Sequence, residues 1–223
     1  MIPQPKICIP IFKKNLKTAY ETADKALKMG ADILELRIDA LHDPDVDKII
    51  NFLDTFESEI IATNRMTPEG GLFKGSETER TEILRDIAGY ADYVDIELQT
   101  EEKYRSKVIK ASNLSIVSFH NFEKTPSVEE LLKIVKEEKE IGELAKFAVM
   151  PQNWEDTLKV LNVLLQVDNT IGISMGDLGR YTRVTAPLFG SPITFSSLDD
   201  ASAPGQLDIK STRLFLQKFG NWW

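Results

Sequence analysis

The sequence predicts an α/β protein, a (β/α)8 TIM barrel in a single domain over residues 1–223. Three observations predict it. Eight short β-like runs alternate with longer amphipathic runs along the whole chain, the count of a barrel in which each strand is followed by a helix. Several of those runs have one aliphatic face and one charged face, and both charge signs are present. The rival with the same alternation, a doubly wound open sheet, usually carries a glycine-rich turn after its first strand; "PIFKKNL" contains no glycine.

The first strand is "KICIPI" (6–11), followed by a helix at 15–29 that Gly30 closes. "DILELRID" (32–39) sets Leu34, Leu36 and Ile38 on one face and Glu35, Arg37 and Asp39 on the other; a helix at 45–57 follows. "EIIATNR" (59–65) leads through a glycine-rich stretch to a helix at 77–89. "YVDIEL" (93–98) repeats the two-faced pattern, with Val94, Ile96 and Leu98 opposite Asp95 and Glu97, ahead of a helix at 101–111. "SIVSFHN" (115–121) puts Ser118 and His120 on one face, and Pro126 with Ser127 opens the helix at 127–141. The sixth strand is "AKFAVM" (145–150), and the polar residues of "PQNWED" open the helix at 153–167. "TIGISMG" (170–176) with a helix at 176–181, and "PITFSSL" (192–198) with a helix at 205–218, complete the series. In an antiparallel sandwich the charged faces would simply be solvated. In a barrel the helices cover the aliphatic faces, so the charges point into the interior and mouth, where they must pair.

Composition narrows the function. At 42% hydrophobic and 28% charged residues, 223 residues can bury a large core. A net charge of −8 and a pI near 5.0 argue against a nucleic-acid partner, which needs a basic face. The single cysteine, Cys8, cannot form an internal disulfide, and "MIPQPKICIPIFKK" lacks the pattern of a secretory signal. No apolar run approaches the roughly 20 residues that cross a bilayer. A cytoplasmic protein without a membrane partner is expected.

Barrel chemistry sits at the C-terminal ends of the strands and in the loops that follow. There the sequence places Glu35, Arg37 and Asp39; Arg65 and Glu69; Asp95 and Glu97; His120; Lys146; Met175 and Arg183; and the run "DDASAPGQLD". The set lacks the clustered His and Cys of a zinc site, and arginines offset its carboxylates, so a metal is not required. Lys146 has two readings: an interior ion pair with Glu35 or Asp95, or a nucleophilic amine favoured by desolvation and nearby arginines. His120 ends the strand one βα unit earlier, with chemistry suited to proton shuttling and with Glu69 or Asp95 available to orient it. The other histidine, His42, reads as a solvated loop residue. "NRMTPEGGLFKGSETER" fits neither common phosphate-loop pattern and reads as a mobile loop carrying Arg65 and Glu69 into the mouth. "ASAPGQLDI" reads as a small-residue lid or an ordinary loop.

Taken in order, "ELRID", "RMTPEGG", "DIEL", "SFHNFEKTPS", "KFAVM", "SMGDLGRYTR", "FGSPITFSS" and "SAPGQ" resemble the motif series of type I 3-dehydroquinate dehydratase, from about residue 6 to 210. The resemblance implies a homodimeric barrel that converts 3-dehydroquinate to 3-dehydroshikimate and water in the shikimate pathway, without metal or cofactor. It implies Lys146 as the Schiff-base lysine, His120 as the acid/base histidine, and Glu69 and Asp95 as the acids that hold and tune it. Glu35, Arg37 and Arg65 match groups that bind the ring hydroxyls and order the site. Arg183, Ser202 and Gln206 match those on the carboxylate side, and Met175 a residue packing near the ring. Two departures stand out. Phe119 replaces a residue that is often polar in bacterial relatives, and the chain starts almost on its first strand, without an obvious N-terminal hairpin extension. The alternative functions are another lysine-Schiff-base lyase of aldolase type, or a non-catalytic barrel that binds a small acid.

Overall fold

All eight expected strands form, and they lie in one parallel sheet. The computed structural model describes residues 4–198 and 203–219. Its strands are β1 (Lys6–Ile11), β2 (Ile33–Arg37), β3 (Glu59–Thr63), β4 (Tyr93–Glu97), β5 (Leu114–Asn121), β6 (Leu144–Val149), β7 (Thr170–Ser174) and β8 (Ile193–Phe195). They are hydrogen-bonded in the order β7-β6-β5-β4-β3-β2-β1-β8, a barrel nearly closed between β7 and β8. The crossovers carry α1 (Leu16–Lys28), α2 (Val46–Leu53), α3 (Glu77–Ile87), α4 (Glu102–Ala111), α5 (Val128–Ile141) and α6 (Trp154–Leu164), because parallel neighbours cannot be joined by a tight turn. Local chemistry starts these helices. Asn15, Asp45 and Asn153 cap α1, α2 and α6, and Ser76 and Ser127 form capping boxes with Glu79 and Glu130 on α3 and α5.

The last third differs from the expected elements. The helix expected at 176–181 is two short pieces, α7 (Gly176–Gly179) and α8 (Thr182–Thr185), and a 3-10 turn at Ala186–Phe189 follows. Gly179 is pressed against the backbone of β7, where an added Cβ would lie 2.2 Å from the Ser174 carbonyl oxygen. The final helix, α9 (Ile209–Phe219), starts four residues later than expected, because Gly205 sits at φ +76°, in the left-handed region a helix cannot use. β8 stops at Phe195, after which Ser197 bridges to Asp208 instead.

Alternation along the strands separates two kinds of interior. Ile7, Ile9, Ile11, Leu34, Leu36, Val94 and Ile96 face the helices, where they meet Ala19, Ala23 and Ala26 of α1 and Phe52 of α2. Ala145, Phe147 and Val149 do the same against α5 and α6. The opposite positions, Cys8, Ile33, Ile61, Ile116, Ile171 and Ile193, form a separate apolar cluster inside the barrel. Each fully buried aliphatic side chain contributes roughly 1.5–3 kcal/mol relative to exposure. Polar inner positions follow the apolar ones toward the C-terminal ends: Glu35 and Arg37 after Ile33, Thr63 after Ile61, Ser118 and His120 after Ile116. The charged mouth therefore stands on an apolar floor.

One buried acid lies outside that mouth. Glu138 occupies the core-facing stripe of α5 with Leu131 and Val135, is 0% exposed, and neither carboxylate oxygen has a hydrogen-bond partner among the described residues. Burial pushes its carboxyl well above the ordinary 4.5. Below that value both states are protonated; above it the unfolded chain ionises and the folded one does not, so the residue's cost grows with pH. Glu138→Met is expected to stabilise the protein by about 1 kcal/mol or more near pH 8. The gain in Tm should shrink toward pH 4, and thermal melts at both pH values check it.

Candidate active site

Lys146 enters the barrel from the middle of β6. The ladder pairs it with Ser118 of β5, and His120 lies two residues farther along that strand on the same face. With about 3.3 Å per residue and 4.8 Å between strands, lysine and histidine flank a space of roughly ring size. The lysine is 4% exposed. Its Nζ donates to Asp95 Oδ2 at 2.7 Å, lies 3.8 Å from Glu35 Oε1, and stands 4.4 Å above the centroid of the Phe195 ring.

Each neighbour of the lysine is itself held. Asp95 Oδ1 accepts from Ser118 Oγ at 2.6 Å and pairs with Arg65 Nη2 at 2.8 Å. Arg65 Nη1 donates to Ser118 Oγ at 2.7 Å and to Glu97 Oε1 at 3.0 Å. Glu35 accepts from Thr63 Oγ1 at 2.9 Å. Burial opposes charge on Asp95, yet the Arg65 and Lys146 cations outweigh it and hold the carboxyl far below the usual range. Asp95 thus binds the lysine and Arg65; the acid that holds the histidine is Glu69. Its Oε2 accepts the His120 backbone N–H at 3.0 Å and lies 2.8 Å from Nδ1. Burial pushes Glu69 up to about 8, while burial, helped by Arg65 and Lys146, keeps His120 well below 6.5.

Hydrogen bonds pin the start of the loop after β3. Asp39 accepts both arms of Arg37, at 2.8 and 2.7 Å, together with the backbone N–H groups of Arg65 and Leu72. Glu97 takes the Met66 N–H at 3.1 Å. Gly71 then passes so close to the Arg65 carbonyl that a Cβ would lie 1.9 Å from its oxygen. Glu69, in the 3-10 turn Thr67–Glu69, is delivered to the histidine by this folding.

Arg183 is bound in a different way. It is 4% exposed, its Nη2 and Nη1 donate only to the carbonyls of Pro204 (2.9 Å) and Phe195 (3.4 Å), and its Nε has no partner among the described residues. Burial alone pulls it down to about 10, which leaves it a cation at neutral pH. Arg37 and Arg65 already have carboxylates, whereas Arg183 has none among the described residues. Glu35, Arg37, Arg65, Glu69, His120, Lys146, Met175, Arg183 and Gln206 line one cavity at the barrel mouth. Ser202 lies outside the described residues. His42 is exposed beside a separate depression formed with Lys13, Lys14 and Phe73. Among the described residues no group of three or more His, Cys, Asp or Glu side chains is placed to hold a metal ion.

Sequence reasoning missed Arg80. This α3 residue is 1% exposed; it clamps Glu77 with two bonds (2.8 and 2.7 Å) and donates to Glu97 Oε2 (2.7 Å), the Asn64 carbonyl (2.7 Å) and Thr100 Oγ1 (2.9 Å). A signal existed. Positions 80, 84 and 87 form a core-facing stripe, so an arginine there had to find buried acceptors.

Comparison with known proteins agrees over nearly the full length. Residues 7–221 match the family described as type I 3-dehydroquinase. The 3-dehydroquinate dehydratase of Methanobrevibacter smithii is 47% identical over 216 residues, covering 97% of this chain and 96% of the relative. That of Methanothermobacter thermautotrophicus is 50% identical over 208 residues, covering 93% and 94%. The crystal structure of 3-dehydroquinate dehydratase from Geobacillus kaustophilus matches with a TM-score of 0.89 and 30% identity over 97% of this chain and 93% of that one. The type I enzyme from Clostridium difficile, solved with covalent modified comenic acid, matches at 0.90 and 29% over 97% and 92%.

Proposed function

Since the chain belongs to the type I 3-dehydroquinase family and is thereby a hydro-lyase, we propose that it dehydrates 3-dehydroquinate to 3-dehydroshikimate through a Schiff base on Lys146, as a step of the shikimate pathway to aromatic amino acids. The observation that carries this reading is the placement of a nearly buried lysine one strand from a Glu69-held histidine, in a cavity that also contains an uncompensated arginine. The Clostridium difficile relative with covalent modified comenic acid accords with a covalent step.

Arg183 takes the substrate carboxylate, and Gln206 lines the same cavity. The ring lies over Met175, with its hydroxyls toward Glu35, Arg37 and Arg65. The Lys146 amine, its ammonium proton released to solvent, attacks the ketone carbon; loss of water from the carbinolamine leaves an iminium, which acidifies the adjacent C–H. His120 Nε2 takes that proton, while Glu69 holds Nδ1. The resulting enamine expels the tertiary hydroxyl, to which His120 returns the proton, so one water leaves. A second water hydrolyses the conjugated iminium, releasing product and the free amine. Asp95 stabilises the cationic nitrogen at each stage.

Incubation with 3-dehydroquinate and borohydride tests the reading. A reduced adduct on the peptide containing Lys146 is expected, and enone absorbance should appear without borohydride. Absence of the adduct overturns it.

The acid–base pair gives a pH signature. With Glu69 near 8 and His120 low, the pair binds two protons at neutral pH and becomes a base, with Nδ1–H toward the carboxylate and Nε2 bare, when it loses one. The acid limb of kcat/KM is expected near pH 8. Glu69→Gln keeps an acceptor at Nδ1 but has no proton to lose, so the limb should fall below 6.5 while the plateau drops by roughly 10–100-fold. A limb that stays in place in this variant would contradict the assignment.

The reading includes a cytoplasmic homodimer. Exposed Trp154, Phe215 and Phe219 share one apolar surface with Leu178 and Tyr181, which supports association of two copies.

A further inference from the structure

We propose that Arg80, outside the barrel on α3, is a positioning residue for Lys146: by neutralising Glu97 it leaves Arg65 to Asp95, and so limits how tightly Asp95 grips the lysine. The inference rests on the Schiff-base reading. The side chains form an alternating line in which each charge meets the next: Glu77, Arg80, Glu97, Arg65, Asp95, Lys146. Glu97 is fully buried and divides its oxygens, Oε1 to Arg65 and the Met66 N–H, Oε2 to Arg80. Arg65 divides its nitrogens in the same way between Glu97 and Asp95.

Without Arg80, Glu97 keeps a full negative charge in a dry site with Arg65 as its remaining cation. Arg65 must then serve two carboxylates. Asp95, left with a smaller share of that guanidinium, leans on its other cation, the Lys146 ammonium, and holds the amine back from the carbonyl it has to attack. Arg80 touches no substrate, and its bonds to the Asn64 carbonyl and Thr100 would also suit a purely structural staple. The two roles separate through Glu97. If Arg80 acts by its charge, removing the charge on Glu97 should repair its loss; if it acts as a staple, nothing is repaired.

The test compares Arg80→Met with Arg80→Met/Glu97→Gln, in which the amide oxygen introduced at position 97 still accepts from Arg65 and the Met66 N–H. Arg80→Met is expected to lower kcat by about tenfold with KM within about twofold, and the double variant to recover to within about threefold of wild type. A folded Arg80→Met with kcat within about twofold of wild type, or a double variant no faster than the single, overturns the proposal. Should Arg80→Met not fold, Arg80→Gln takes its place, since it removes the charge while its amide N–H can still donate to an acceptor such as the Asn64 carbonyl; the same comparison with Glu97→Gln decides. Borohydride trapping of wild type runs alongside. No wild-type adduct refutes the Schiff base, whereas a wild-type adduct with unchanged Arg80 kinetics refutes only the role of Arg80.

Discussion

Lys146→Met should remove turnover while leaving the barrel folded, with kcat down by roughly 10⁵-fold or more. Methionine fills most of the lysine's volume and can still lie over the Phe195 ring. Asp95 loses one cation but keeps Arg65 at 2.8 Å and Ser118 at 2.6 Å, so the carboxylate left behind is not an orphan. The destabilisation should therefore stay below the roughly 3–5 kcal/mol typical of a buried charge whose sole partner is removed. Catalysis has no such reserve. In the proposed Schiff-base mechanism no iminium forms without the amine, and the histidine would face a C–H acidified only by a ketone. Enone absorbance and a thermal melt together check the result. A folded variant that keeps a tenth of the wild-type rate would show that the lysine is an ion-pair residue after all.

Arg183→Met should separate binding from stability. Arg183 has no carboxylate partner among the described residues and an unpartnered Nε, so the protein carries the desolvation cost of a guanidinium, which the proposed substrate carboxylate would offset. Removing it is expected to raise KM by roughly 100-fold and to move kcat much less. Stability should hold or rise by about 1 kcal/mol, since the buried cation is gone. Arg37 and Arg65 would behave in the opposite manner, because each is a structural partner of Asp39, Asp95 or Glu97 before substrate arrives. An unchanged KM in Arg183→Met would place the substrate's carboxylate elsewhere.

Much of this site was legible in the chain. The two-faced strands "DILELRID" and "YVDIEL" put Glu35, Arg37, Asp95 and Glu97 inside the barrel by parity alone, and the structure has them there. Lys146 and His120 could be placed on neighbouring strands because consecutive β-strands of a parallel barrel are adjacent in space. Two helix starts were equally readable, from Ser127 and from the polar run "PQNWED" that contains Asn153. What could not be read was which carboxylate takes which cation. Asp95 and Glu69 look interchangeable as partners of His120 in sequence; Glu69 reaches it only because Asp39, 30 residues earlier, ties down the Arg65 and Leu72 N–H groups and folds the loop back. Arg80 was hidden in "ETERTEIL", where a charged helix residue reads as solvated unless its stripe is followed inward.

The sequence by itself determined the barrel, its inner and outer faces, and the chemical inventory at its mouth, because period and parity are local properties of the chain. Tertiary structure alone decided that Asp95 holds the lysine, that Glu69 holds the histidine, that Arg80 reaches the site from outside the sheet, and that Arg183 is left without a carboxylate among the described residues. Those allocations depend on distances of a few ångströms between residues up to 51 positions apart, and on how burial magnifies each charge, neither of which any local pattern encodes.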